Sequence, residues 1–338
     1  MLDKIRNFKF TVSNLTTIIS MIFLTSAVLF GYSYLTGRNL GRLIANQGPG
    51  AALAKPSVPT FAFNIIGGFG DGAMNKPMAV VVSGKKIYVS DTNNQRVQIF
   101  DYDGKPLLQF GKAGSGKGEF SFPYGLAVDS KGQIYVADLY NGVVEIYDGA
   151  GRFLKNFAEE AGGKKPFVRP AGLFLDGSKL YVTDVGLSQV LVFDVNSGRK
   201  LQEIGKKGVA PGQLNSPNFV MVNGGKVYVV DTGNDRVQVF DQQGKFLQNI
   251  NGSKDGKGEG VFVNPRGIGV DGRGIIYVVS NINSRIYGFD DKGEQVLAFG
   301  EIGADDNQFN LPNGLWVDEQ GRIYITDTIN QRIAVYQN

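Results

Sequence analysis

The stretch Val89–Asp101, "VSDTNNQRVQIFD", sets two Asp, four side-chain amides and an Arg among apolar residues. Taken alone, it reads either as a polar ligand loop or as a turn between strands. What decides is whether the chain repeats it. A site is built once, whereas a structural turn recurs with the unit it closes.

It recurs. "ADLYNGVVEIYD" stands at 137–148, "TDVGLSQVLVFD" at 183–194, "VDTGNDRVQVFD" at 230–241, "VSNINSRIYGFD" at 279–290 and "TDTINQRIAVYQ" at 326–337. The anchors are Asp91, Asp138, Asp184, Asp231, Ser280 and Asp327, spaced 47, 46, 47, 49 and 47 residues apart. Each copy opens on a proline (Pro77, Pro123, Pro170, Pro217, Pro265, Pro312) and carries four short apolar runs separated by turn residues. Period-2 runs rich in β-branched and aromatic residues predict strands, and four strands per repeat of this length predict one propeller blade. The sixth copy stops at Asn338, after its third run. The missing run stands at the other end of the domain, where "FAFNIIGG" at 61–68 resembles "KFLQNING" at 245–252. The N-terminal strand is therefore expected to complete the last blade and remove a free sheet edge.

The form P-x-G-[IL]-x-[VL]-D followed by I-Y-V-x-D-T-x-N-x-R-[IV]-x-[VF]-[FY]-D, well matched at Pro312–Asp318 and Tyr324–Tyr336, resembles the NHL repeat family. The resemblance spans about 59–338 and implies an all-β, six-bladed β-propeller of four-stranded antiparallel blades. It leaves function open, because similar propellers include enzymes, RNA binders and protein-binding sensors.

Composition excludes several chemistries. The 338 residues hold no Cys and no His, which removes thiolate and imidazole metal ligands, cysteine nucleophiles and any histidine base. The net charge of +4 is uneven: residues 1–58 carry six basic side chains against Asp3, leaving 29 basic and 30 acidic residues in 59–338. A neutral body argues against nucleic-acid binding.

The N-terminal part reads differently from the rest. Residues 1–14 form a short cytoplasmic segment bearing Lys4, Arg6 and Lys9, and residues 15–36, "LTTIISMIFLTSAVLFGYSYLT", a transmembrane signal-anchor helix. Twenty-two residues rise about 33 Å as a helix, one hydrocarbon thickness. Residues 37–58 read as a flexible Gly/Pro/Ala-rich linker. A cleaved signal peptide is the alternative. Basic residues ahead of the span predict a single-pass protein of the cytoplasmic (inner) membrane with its propeller facing the periplasm or cell exterior.

The anchor Asp residues are expected to serve their own blades, accepting backbone N–H groups from the following turn. Arg96, Arg236, Arg285 and Arg332 are expected to pair with them, and Asn94, Asn141, Asn234, Asn283 and Asn330 to sit in left-handed turn positions. Function is expected where the repeat breaks. Leu139, Tyr140, Leu187 and Ile282 put apolar side chains on turns, as a contact surface would. The residues after the opening prolines include Tyr124, Asn218, Arg266 and Asn313, which by analogy with propellers lie near one channel mouth. They would hold a polar or anionic group there, or form a solvated mouth. Loops at 111–120, 162–170 and 205–213 lean basic, and 300–308 is acidic.

Together these features predict a membrane-anchored extracytoplasmic NHL propeller acting as a non-catalytic protein- or ligand-binding scaffold or sensor. No catalytic residue, metal or cofactor is assigned. The expected partner is another membrane or extracytoplasmic protein. The alternatives are a calcium-dependent, lactonase-like propeller hydrolase or lyase, and an RNA-binding NHL domain. The residues after the opening prolines offer no carboxylate for a channel calcium site. Asp129, Asp176, Asp271 and Asp318 read as turn residues after the first strand.

Overall fold

The computed structural model describes residues 56–69, 72–159, 165–253, 256 and 259–338, and Pro56–Asn338 form one compact unit. The expected membrane span at 15–36, the segment before it and most of the linker lie outside the described residues. Among the described residues, no helix is long and apolar enough to cross a membrane.

The described chain forms six four-stranded antiparallel sheets. Blade one comprises Pro77–Ser83, Lys86–Asp91, Arg96–Asp101 and Pro106–Phe110, and blades two to five repeat this order. Blade six takes Pro312–Val317, Arg322–Asp327 and Arg332–Gln337 from the end of the chain and Thr60–Ile65 from its start. Thr60–Ile65 runs antiparallel to the last strand, with Phe61 opposite Tyr336 and Ile65 opposite Ile333. The predicted closure is therefore present, at the predicted place.

The core lies between blades. Six buried clusters each join two neighbours, such as Tyr135, Val144 and Ile146 of blade two with Leu180, Val182 and Leu191 of blade three. The cluster that shuts the ring sets Ile65, Tyr324 and Val335 against Val80, Ile87 and Phe100 of blade one. With both faces covered, second strands such as Ile134–Asp138 are buried throughout, which is why their runs read as continuous rather than alternating.

The first strands surround the axis. In five blades the opening proline pairs with the anchor residue, and the ladder then slips over the next two positions. This bulge takes the residue after the proline and its neighbour out of the regular ladder. That neighbour is Gly in four blades. A Cβ on Gly125, Gly172, Gly267 or Gly314 would come 2.0–2.7 Å from a backbone carbonyl oxygen of the next blade. Such approach excludes any side chain, so the glycines set how tightly the blades converge.

Side chains also tie blade to blade. Thr92 Oγ1 donates to the Pro123 carbonyl at 2.6 Å, Thr232 Oγ1 to Pro265 at 2.7 Å, and Asn281 Nδ2 to Pro312 at 2.7 Å. Thr328 Oγ1 closes the series by donating to the Pro77 carbonyl at 2.9 Å. The corresponding residues of blades two and three are Leu139 and Val185, which have no such donor. Thr183 Oγ1 instead bonds the Asn218 carbonyl, at 3.0 Å.

Candidate functional site at the channel mouth

The opening stretch is structural, by a mechanism that differs in two respects from the sequence expectation. Each anchor staples the loop entering its own blade: Asp91 Oδ1 accepts the Asn75 N–H at 2.7 Å, Asp231 the Asn215 N–H at 2.6 Å and Asp327 the Asn310 N–H at 2.7 Å. The expected bonds from the following turn occur in blades two and three, where Asp138 takes the Tyr140 and Asn141 N–H groups and Asp184 that of Leu187. The left-handed residue is not the Asn but the one after it. Gln95, Gly142, Ser188, Asp235, Ser284 and Gln331 have φ between 46° and 64°. The Asn side chains of Asn94, Asn141, Asn234 and Asn330 instead donate to the anchor carboxylate.

The arginine pairing stays within each blade. Arg96, Arg236 and Arg332 donate Nε to Asp91, Asp231 and Asp327 at 2.6–2.8 Å, with those carboxylates fully buried. Arg285 stands opposite Ser280, so it has no carboxylate there. Blade two has Val143 in place of Arg, and four backbone N–H groups (Ser121, Phe122, Tyr140, Asn141) satisfy Asp138 instead. Several N–H donors can hold a buried carboxylate without a cation. Through them, Asp138 also fixes the backbone under Phe122 and Tyr140.

These two rings form one wall of a cavity of about 590 Å³ at the mouth. Their centroids are 4.7 Å apart, and Tyr140 is 65% exposed. Met78, Leu139, Val185, Val263 and Ile282 add further apolar lining. Of the apolar turn residues singled out from sequence, Leu139, Tyr140 and Ile282 line this cavity, while Leu187 is exposed outside it. Phe122, Val185 and Val263 were not anticipated. Val185 is marked in the sequence by replacing the Thr of blades one, four and six.

The polar floor is built from the residues after the prolines. The Tyr124 hydroxyl oxygen lies 2.8 Å from Asn218 Oδ1 and 3.0 Å from Asn313 Oδ1, and Arg266 Nη1 donates to Asn218 Oδ1 at 2.7 Å. One phenolic proton serves one of the two amide oxygens. The other contact is satisfied when that amide turns to present its NH₂ group. The structure thus brings all four residues together, across blades two, four, five and six. Tyr124, Asn218 and Asn313 are buried, and Tyr124 bonds both amides. Burial pushes the Tyr124 hydroxyl pKa up, and the Arg266 charge pulls it back. Deeper along the axis, Trp316 of blade six meets Phe174 of blade three at 6.2 Å.

The two NHL stretches that match the family of that name are 214–240 and 309–336, each running through an anchor and its turn; a second family, described as a 6-bladed beta-propeller, matches 72–159. The chain is a six-bladed β-propeller with NHL repeats. The NHL propeller is 39% identical over 59 residues to Protein brain tumor of Drosophila melanogaster and 41% over 58 residues to RING finger protein nhl-1 of Caenorhabditis elegans. Each match covers 17% of this chain and only 6% of the relative's length. Among solved structures, it resembles a protein of unknown function from Bacteroides thetaiotaomicron (TM-score 0.60, 14% identity, covering 82% of this chain and 73% of that one). It also resembles a streptogramin B lyase (TM-score 0.57, 13% identity, covering 78% and 94%). A third likeness is to a catalytically inactive histidine-to-alanine variant of virginiamycin B lyase from Staphylococcus aureus with quinupristin (TM-score 0.53, 14% identity, covering 78% and 85%). At these identities the structural likeness carries the fold alone.

Proposed function

We propose that this NHL propeller is a non-catalytic binding module, held at a membrane by its N-terminal segment and presenting its channel mouth to a membrane or extracytoplasmic partner. The observation that carries this reading is the convergence of two sequence irregularities. Tyr124, Asn218 and Arg266, which follow opening prolines, and the turn residues Leu139, Tyr140 and Ile282 line one cavity. Concave sites that combine apolar walls with a few convergent polar groups are the usual form of binding sites.

The enzyme alternative draws no support from the side chains at hand. The lyase-like neighbour is inactive when a histidine is replaced, and this chain has no histidine. Among the described residues, no three acidic side chains gather where a metal could be held. Asp129, Asp271 and Asp318 accept backbone N–H groups of their own turns.

The test is recovery of partners from membranes, by crosslinking the intact protein and comparing it with the Tyr140→Ala/Ile282→Ala double variant. A specific partner captured by the native chain and lost from the variant supports the reading. Equal capture by both removes the mouth from consideration, and calcium-dependent lactone or ester turnover by the purified protein overturns the non-catalytic assignment.

A further inference from the structure

We infer that the mouth takes a single carboxylate borne on an apolar or aromatic group, an inference that rests on the mouth being the binding site. Arg266 decides the polar half. Its guanidinium carries five N–H donors; Nη1 bonds Asn218 at 2.7 Å, and the group also lies beside the Tyr124 hydroxyl. Its Nε is buried with no partner. No carboxylate pairs with it among the described residues, in contrast to Arg96, Arg236 and Arg332, each of which is matched to an Asp. The one acid lining the cavity is Asp235, whose Oδ1 accepts the Asn264 N–H at 2.7 Å. The floor therefore holds a cation with unused donors beside neutral amides. Guanidinium presents its donors as a planar fork that matches a carboxylate.

One arginine balances one negative charge, which favours a carboxylate over a phosphate dianion. Above it, the Phe122–Tyr140 pair, Met78, Val263 and Ile282 offer apolar contact and no second cation. The volume of about 590 Å³ suits a group the size of one or two residues. A free arylalkyl acid and the C-terminus of a polypeptide ending in an apolar residue present the same chemistry.

The experiment measures binding of N-acetyl-phenylalanine, its primary amide and a pentapeptide ending in phenylalanine to the full chain, by ligand-observed NMR and calorimetry. The acid is expected to bind at least tenfold more tightly than the amide. Arg266→Gln should erase that preference, and Arg266→Lys should keep part of it, because the charge survives and the fork does not. Tyr140→Ala should weaken acid and amide alike. A pentapeptide that binds much more tightly than the single residue identifies a chain terminus as the source; equal affinities identify a small acid. Equal affinity for acid and amide, or a preference that persists in a folded Arg266→Gln protein, overturns the inference while leaving the mouth as a binding site. Binding of neither probe, with partner capture still dependent on Tyr140, overturns it in the same way. Loss of both removes the two readings together.

Discussion

Phe61 and Tyr336, 275 positions apart in the chain, face each other across adjacent strands with ring centroids 5.8 Å apart and planes at 78°. This edge-to-face pair marks where the start of the domain is fastened to its end. The strand that carries Phe61 also delivers Ile65, only 2% exposed, to the cluster between blades six and one.

Ile65→Ala is expected to destabilise the propeller by about 2–4 kcal/mol, the usual range for emptying such a core position. Urea unfolding followed by tyrosine and tryptophan fluorescence measures it. A loss under about 0.5 kcal/mol, the scale of a surface change, would mean that the N-terminal strand does not close the ring.

Thr328→Val keeps shape and removes the hydroxyl that reaches the Pro77 carbonyl. The expected cost is about 1–2 kcal/mol, since a buried carbonyl loses its donor. The same change at Thr232, which bonds Pro265, should cost a similar amount. Hydrogen exchange should show the Thr328 variant loosening blades six and one first.

Much of this fold could be read from the repeat because each blade needs the same local devices. The anchor Asp, in five of six copies, and the opening proline recur, and each occurrence corrects a misreading of another. The closing strand was legible because "FAFNIIGG" supplies the one missing run. The site was legible only in halves. Tyr124 and Tyr140 belong to the same blade but to different strand ends, and nothing in their spacing says that a bulge after Pro123 brings their surroundings to one cavity. Phe122 directly precedes Pro123, a position the repeat leaves variable, so no departure from a pattern marked it. Val263, two before Pro265, stands where blades one, four and six have Asn, a signal in the sequence that was missed. The left-handed turn residue was misplaced for a related reason. Asn is favoured there, but in this turn its amide is committed to the anchor carboxylate and the next residue takes the strained backbone.

Tyr124→Phe should leave the fold intact and cost about 1–2 kcal/mol, because the amide oxygens of Asn218 and Asn313 then share one fewer buried donor. Chemical denaturation reads the cost directly. An unchanged midpoint would mean that the two amides find other partners.

Glu145 is buried in blade two, where blades one and four have Gln98 and Gln238. Its pKa is pushed up to about 7, first by burial and then by the nearby Asp138 and Glu119 carboxylates, against the bonds it receives from Tyr147 and Gly118. The folded chain therefore holds a proton that the unfolded chain releases above the ordinary value of 4.5. This contribution to stability is complete below about 4.5, declines as pH rises towards about 7 and is gone above it. Glu145→Gln is expected to stabilise the protein at pH 8 by on the order of 1–3 kcal/mol and to change little at pH 4.5. Parallel thermal melts at the two pH values test it; an equal shift at both would exclude titration as the cause.

The residues crossing the axis have a consequence for traffic through the ring. Tyr124 reaches from blade two to amides on blades four and six, and Trp316 meets Phe174 beneath them. Side chains from opposite blades thus meet across the hub instead of leaving it an open bore. These contacts stand in the way of an extended chain threading the ring, so the mouth suits a tip or a compact group.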